Sequence, residues 1–255
     1  MTKLDAKHYE NNSNIQRAIA GEVMDLFPVQ NKDYILDIGC GDGYLTAQLA
    51  EIAADGAVVG IDPSREMIMR ANEKYPPHKF RNLEFRISKS ESTHGVEKYT
   101  LMTAFNCLHW SHNLTATFEN CYTSLQTGGK FIGVTYPKES VYWQLFRKIL
   151  SSTRWHKYLS LSPIDSWLTT DDYAQVAKKA GFKISYIKSE ECFASYSNSH
   201  DLGNYIKGWL PCFLPVEQKE LDAFLLEVIE DAESEYKANG LIKIPYTKLT
   251  FCFIK

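Results

Sequence analysis

Ile35-Leu36-Asp37-Ile38-Gly39-Cys40-Gly41-Asp42-Gly43-Tyr44 is the stretch that decides the fold. An apolar run leads into three glycines at alternating positions, and a helix-like pattern (Leu45, Leu49, Ile52, Ala53) follows. That order predicts a buried strand, a tight loop and a helix N-terminus. The glycines supply backbone angles closed to other residues and let a ligand lie against the main chain. The helix then points its free N–H groups toward that ligand. The stretch is a small-molecule cradle.

Its spacing narrows the ligand. Dinucleotide loops read G-x-G-x-x-G, with a third small residue for close helix–strand packing; here that place is held by bulky Tyr44. Asp37, just before the loop, suits an ammonium or sulfonium and suits a pyrophosphate badly. A second apolar run, residues 57–61, ends in Asp62, at the distance expected for a strand whose terminal carboxylate takes ribose hydroxyls. D-I-G-C-G-D-G followed by G-I-D resembles the first two motifs of the class I S-adenosylmethionine (SAM) methyltransferases.

The chain has 255 residues and a net charge of −3 with both signs interleaved, which leaves no basic footprint for nucleic acid. No stretch reaches membrane-spanning length, and the first residues lack the apolar core of a leader. The six cysteines (40, 107, 121, 192, 212, 252) are scattered without C-x-x-C spacing, so reduced thiols and a cytoplasmic location are expected. Nothing in the sequence specifies an oligomer.

In chain order, residues 6–27 read as a helix with an apolar stripe (Ile15, Ala18, Ile19, Val23, Leu26, Phe27) closed by Pro28. Its start, Tyr9 to Gln16, is polar and on residue types alone reads as a solvated, Asn-capped helix end. Strands are expected at 57–62, 82–87, 99–105, 130–135, 183–188 and 248–254, alternating with helices after Pro63-Ser64, at 114–126 and from Thr169 to 179. This predicts a doubly wound α/β sheet with its ligand at the carboxyl ends of the strands. Residues 140–168 are crowded with aromatics (Tyr142, Trp143, Phe146, Trp155, Tyr158, Trp167), either ordinary core or a lid over a substrate pocket. Residues 217–236 carry an apolar stripe at 221, 224, 225, 228, 229, 232 and 236.

Over nearly its full length the chain resembles a class I methyltransferase: a Rossmann-like sheet of seven strands, the last antiparallel beside the sixth, with a helical cap over the substrate pocket. The expected division of this one domain is an N-terminal helical segment (1–30), a SAM-binding core (31–136) and cap insertions (137–170, 192–245). Leu108-His109-Trp110, the excursion ending in residues 239–246, and Y-x-x-N-S-x-x-Q (Tyr9, Asn12, Ser13, Gln16) are similar to the trans-aconitate and juvenile hormone acid carboxyl methyltransferases. Two positions depart from that pattern: Lys89 where the family carries Asp near the adenine, and Tyr99-Thr100 where it carries Phe-Asp.

The resemblance implies SAM as cofactor, with S-adenosylhomocysteine as product, and a small carboxylic acid as acceptor. Gly39, Cys40 and Gly41 would lie under the homocysteine part, with Asp37 near its ammonium; Tyr9 is a further cofactor contact. Asp62 would take the ribose diol, with Pro63, Ser64 and Met67 near adenosine and Ser90 or backbone at the adenine amino group. Asn106 and Leu108 would bring backbone near the sulfonium. A carboxylate is already anionic, so no general base is required; neutral donors on Gln16 and Trp110 would orient it without protonating it. His109 and Tyr136 would line the pocket. His109 and His112 lack acidic or thiol ligands at useful spacing, so no metal is expected. Residues 140–168 hold two arginines, Arg147 and Arg154, and no cluster for a polycarboxylate, which suggests an apolar-tailed acid. The alternatives are a small-molecule N- or C-methyltransferase, a non-catalytic SAM-binding protein and, disfavoured by Tyr44, an NAD-dependent oxidoreductase.

Overall fold

The computed structural model describes residues 14–255. The helices and strands are, in order, α1 (Asn14–Leu26), β1 (Tyr34–Ile38), α2 (Tyr44–Ile52), β2 (Ala57–Asp62), α3 (Arg65–Lys74), β3 (Leu83–Ile87), β4 (Tyr99–Phe105), α4 (Leu114–Ser124) and β5 (Leu125–Thr135). Then come α5 (Val141–Leu150), α6 (Thr170–Ala180), β6 (Lys183–Tyr196), α7 (Ser199–Lys207), α8 (Leu210–Phe213), α9 (Gln218–Tyr236), β7 (Lys237–Ala238) and β8 (Leu241–Ile254). They form two compact units. A core unit takes residues 16–135, 170–188 and 249–255; a second unit takes 136–169 and 189–248 together with residues 14–15.

In the core unit the strands run β3-β2-β1-β4-β5-β8-β6. The pairs among β1 to β5 are parallel, and β8 runs antiparallel to β5 from Lys130↔Ile254 to Thr135↔Leu249. This is the doubly wound sheet expected, with the last strand inserted beside the sixth. β1 and β4 carry near-continuous apolar runs because a parallel sheet with helices on both faces has no wet side. Phe118, Phe131, Phe251 and Phe253 are fully buried, and Phe182 packs edge-on to Phe118. Each such ring contributes about 2–3 kcal/mol through apolar burial.

Several boundaries differ from those expected. The helix expected at 114–126 stops at Ser124, because Leu125 already pairs with Tyr99 and begins β5. The strand expected at 183–188 continues to Tyr196, and the final strand begins at Leu241. In α2 Ile52 is 45% exposed, and Thr46 and Ala47 take the buried face with Leu49 and Ala50. In α1 the buried residues are Gln16, Ile19, Ala20 and Val23, whereas Leu26 is 49% exposed. The polar residue Gln16 therefore sits on the inward stripe of the helix.

In the second unit the aromatic stretch resolves into α5 and two 3-10 turns, His156–Leu161 and Pro163–Asp165. Tyr142, Trp143, Phe146, Trp155 and Trp167 are all buried, and Phe146 meets Trp209, Phe213 and Phe224. They are the packed core of this unit. The Trp155 indole donates to Glu227 (2.7 Å), which also pairs with Arg154 (2.5 Å). Asn239 and Gly240, both at positive φ, turn β7 into β8. Among the described residues no helix is long and apolar enough to cross a membrane.

Candidate functional site

The site is built where β1, β2 and β4 end. Gly39, Gly41 and Gly43 all adopt left-handed angles (φ 69°, 54° and 80°). A Cβ on Gly39 would lie 2.4 Å from the Cβ of Cys107, so the loop closes against the exit of β4 only because this residue has no side chain. The amides of Gly39 and Cys40 donate to the Ile61 carbonyl (2.8 and 3.0 Å), and α2 starts from Gly43, its first N–H, that of Tyr44, reaching the Asp42 carboxylate at 3.4 Å.

Asp62 stitches this loop to the next. One carboxylate oxygen accepts the Gly41 N–H (3.1 Å), and the other accepts the Ser64 N–H (2.8 Å). Burial raises its pKa, and those two bonds oppose the rise. Each oxygen keeps a lone pair, and a group that only accepts suits a diol that donates. Ser64 caps α3 by accepting the Met67 N–H (3.3 Å), which fixes buried Met67 behind exposed Pro63.

Asp37 is 2% exposed. Its oxygens take the hydroxyls of Thr46 (2.7 Å) and Thr103 (2.6 Å). Burial lifts its pKa from 3.8 to about 6 against the pull of those hydroxyls. It is a held charge beneath the loop, with both oxygens engaged. Cys40 and Cys107 lie beside it; burial first, then the carboxylates of Asp62 and Asp37, push both thiols well above their ordinary range. The Cys107 S–H donates to the Ile38 carbonyl (3.0 Å).

At the exit of β4, Asn106 is left-handed (φ 56°), a conformation Asn tolerates better than most residues. Its side chain donates to the backbone carbonyl of Gln16 (3.1 Å), which brings the start of α1 to this loop. Gln16 is 8% exposed, and its side-chain oxygen is buried without a hydrogen-bond partner. Leu108–Trp110 form a 3-10 turn in which Leu108 is 1% exposed. His109 is 3% exposed with Nδ1 3.2 Å from the Thr135 hydroxyl, and its ring centroid lies 4.6 Å from that of Trp110. Burial pushes its pKa down to about 3, so the imidazole is neutral and a weak base.

Ser90, expected near the adenine, lies 3.0 Å from the Thr117 hydroxyl, which is also 3.0 Å from that of Ser111. Tyr136 belongs to the second unit, where its ring meets those of Trp143 and Tyr246 (6.3 and 6.0 Å). Tyr9 lies outside the described residues. The loop thus gathers Asp37, Gly39, Cys40, Gly41, Asp62, Ser64 and Met67, and the β4 exit gathers Gln16, Asn106, Leu108, His109 and Trp110.

Two further contributors have no local signal in the sequence. Glu91 accepts the Ser111 hydroxyl (3.0 Å) and the His112 N–H (3.2 Å), tying the exit of β3 to the exit of β4. Asp42, inside the loop, is 4% exposed and pairs with Arg17 (3.1 Å) and Lys74 (2.8 Å). These partners lie far apart in the chain, so only the fold could reveal them. Among the described residues no group of three His, Cys, Asp or Glu is placed to hold a metal ion.

Comparison with known proteins agrees with this geometry. A family described as a methyltransferase domain matches residues 12–187. A methyltransferase candidate of Invertebrate iridescent virus 6 is 25% identical over 88% of this chain and 83% of its own. The juvenile hormone acid O-methyltransferase of Drosophila melanogaster is 22% identical over 88% of this chain and 82% of that one. A solved SAM-dependent methyltransferase from Aquifex aeolicus shares the fold with a TM-score of 0.58 at 13% identity, across 99% of this chain and 100% of that one.

Proposed function

We propose, because this chain belongs to the methyltransferase-domain family of SAM-dependent enzymes, that it esterifies the carboxylate of a small, apolar-tailed organic acid. SAM, when bound, supplies a methyl group activated by its sulfonium. The chain's task is then to hold an acceptor in line and keep water away, and positioning is the largest contribution such a site can make. The glycine loop, Asp62 and the first turn of α3 are the residues that would hold the cofactor: a backbone without side chains against which its amino-acid end can lie, an accepting carboxylate for its diol, and Met67 with Pro63 beside its adenosine.

The observation that carries the choice of acceptor is the chemistry of the β4 exit. An alcohol or an ammonium must lose a proton before it can attack, and His109, with a pKa near 3, is too weak a base to take one efficiently. A carboxylate needs no such help. It needs donors that orient it and leave it unprotonated, and the Gln16 amide and the Trp110 indole are neutral donors of that kind. Gln16 is 8% exposed, so its amide N–H groups would meet a carboxylate away from bulk water. The fly relative, by its name, O-methylates an acid. In residues 140–168 Arg154 is engaged by Glu227, so no pair of guanidinium groups stands ready for a polycarboxylate.

The test is a product screen. Purified protein with SAM is offered a panel of monocarboxylic acids of rising chain length, polycarboxylic acids, and amines, and products one methylene heavier are sought by mass spectrometry. Methyl esters of apolar-tailed monoacids are expected. Methylation confined to amines would overturn the carboxylate assignment, and methyl esters of polycarboxylates alone would overturn the apolar tail.

A further inference from the structure

Gln16 and its neighbour Arg17 are tied to different parts of the site. The Gln16 backbone carbonyl is held by Asn106 at the β4 exit, and the Arg17 guanidinium pairs with Asp42 inside the glycine loop (3.1 Å). The same guanidinium lies over the ring of Tyr44, 4.0 Å from its centroid, so it is fixed by charge and by stacking at once. The Asp42 side chain is 6% exposed and those of Arg17 and Lys74 are 21% and 18% exposed, so the cluster is largely sheltered from water and salt. Asp42 and Tyr44 flank Gly43, one of the three left-handed residues whose backbone shapes the loop. Any change in the order of that loop is felt directly by Arg17, and one residue away by Gln16.

We infer that Arg17 is a positioning residue that couples the glycine loop to Gln16, so that filling the cofactor cradle fixes the start of α1 and readies the acceptor contact. The inference rests on the role of Gln16 given above. The coupling runs through two adjacent residues of one helix: the loop holds Arg17, the helix backbone carries that order to Gln16, and Asn106 fixes its carbonyl. Such a link makes cofactor and acceptor binding mutually reinforcing, because whichever ligand orders the helix first spares the other that cost. Lys74 reaches the same Asp42 carboxylate from α3, so it steadies the loop from a different helix.

The probe is S-adenosylhomocysteine, read by amide hydrogen exchange and by calorimetry on the full chain. In the wild type it should slow exchange both across residues 39–44 and across residues 14–26, the latter by on the order of tenfold. Arg17→Met should keep the protection of the loop and lose most of that in the helix. Arg17→Lys, which retains the charge without the fork or the stacked plane, should recover part of it. Lys74→Met should leave the helix protection in place. Unaltered helix protection in Arg17→Met, or equal loss in Lys74→Met, would overturn the coupling while leaving the methyltransferase assignment standing. A wild type that takes up no S-adenosylhomocysteine would remove both together.

Discussion

Asp37→Asn isolates the cost of keeping a charge beneath the cofactor loop. In the folded protein burial holds the Asp37 carboxyl at about 6, against 3.8 when exposed. The difference is about 2 pK units, or ~3 kcal/mol. Because the pKa is raised, the folded state binds the proton more tightly than the unfolded chain does. Stability from this group is therefore complete at low pH, falls as pH rises from about 3.8 to about 6, and levels off above that. Asparagine cannot titrate, so the difference between variant and wild type must move by ~3 kcal/mol over the same window, in favour of the variant at neutral pH. The pull of Thr46 and Thr103 on the charged form is already contained in the folded value of about 6, so a hydrogen bond the asparagine fails to make, about 1 kcal/mol, offsets the variant's profile without changing how the wild type titrates. The assay is urea denaturation of both proteins at several values between about pH 5 and 7.5, where roughly half of the effect, on the order of 1 kcal/mol, remains to be seen. Parallel stability profiles across that interval would show that Asp37 titrates as an ordinary surface acid and would refute the electrostatic account of the loop.

Three further outcomes follow from the site. Asp62→Ala frees the amides of Gly41 and Ser64 and removes the acceptor offered to the diol; S-adenosylhomocysteine affinity should fall by on the order of a hundredfold in calorimetry, and an unchanged affinity would displace Asp62 from the cradle. Gln16→Ala should leave that affinity within about twofold while kcat/KM for the acid drops by roughly tenfold or more, a split that steady-state kinetics with varied acceptor resolves. Gly39→Ala combines a left-handed backbone with a Cβ placed 2.4 Å from that of Cys107, and thermal denaturation should register a loss of about 2 kcal/mol or more.

The core of the fold was legible because its signals are local. Residues 35–44 carry strand, loop and helix start within ten positions, and the alternation of apolar runs with helical periodicity carries the order of the parallel strands. What stayed hidden was hidden for physical reasons. In the second half of β6 buried Ala194 and Tyr196 alternate with exposed neighbours, but Phe193, itself apolar, is 61% exposed and stands between Cys192 and Ala194, so the residue types hide the alternation. The first half of β8 contains Pro245, which reads as a break. Arg17, Asp42 and Lys74 are joined by charge across 25 and 32 residues, and no spacing rule links them. Asp37 announces itself as a ligand for a cation, yet only the position of Thr46 and Thr103 shows that both its oxygens are already taken. Gln16 reads as a solvated cap until α1 is seen to turn it inward.

The two thiols beside the glycine loop bear on the chemistry in another way. A methyl donor is an indiscriminate alkylating agent, and a thiolate is a far stronger nucleophile than the carboxylate we propose as acceptor. Cys40 sits in the cradle itself and Cys107 presses against Gly39. Burial and two nearby carboxylates keep both protonated, and the Cys107 proton is further occupied by the Ile38 carbonyl. The same low-dielectric surroundings that raise the Asp37 pKa would thereby spare both thiols from alkylation by a methyl donor held in the loop we propose as its cradle.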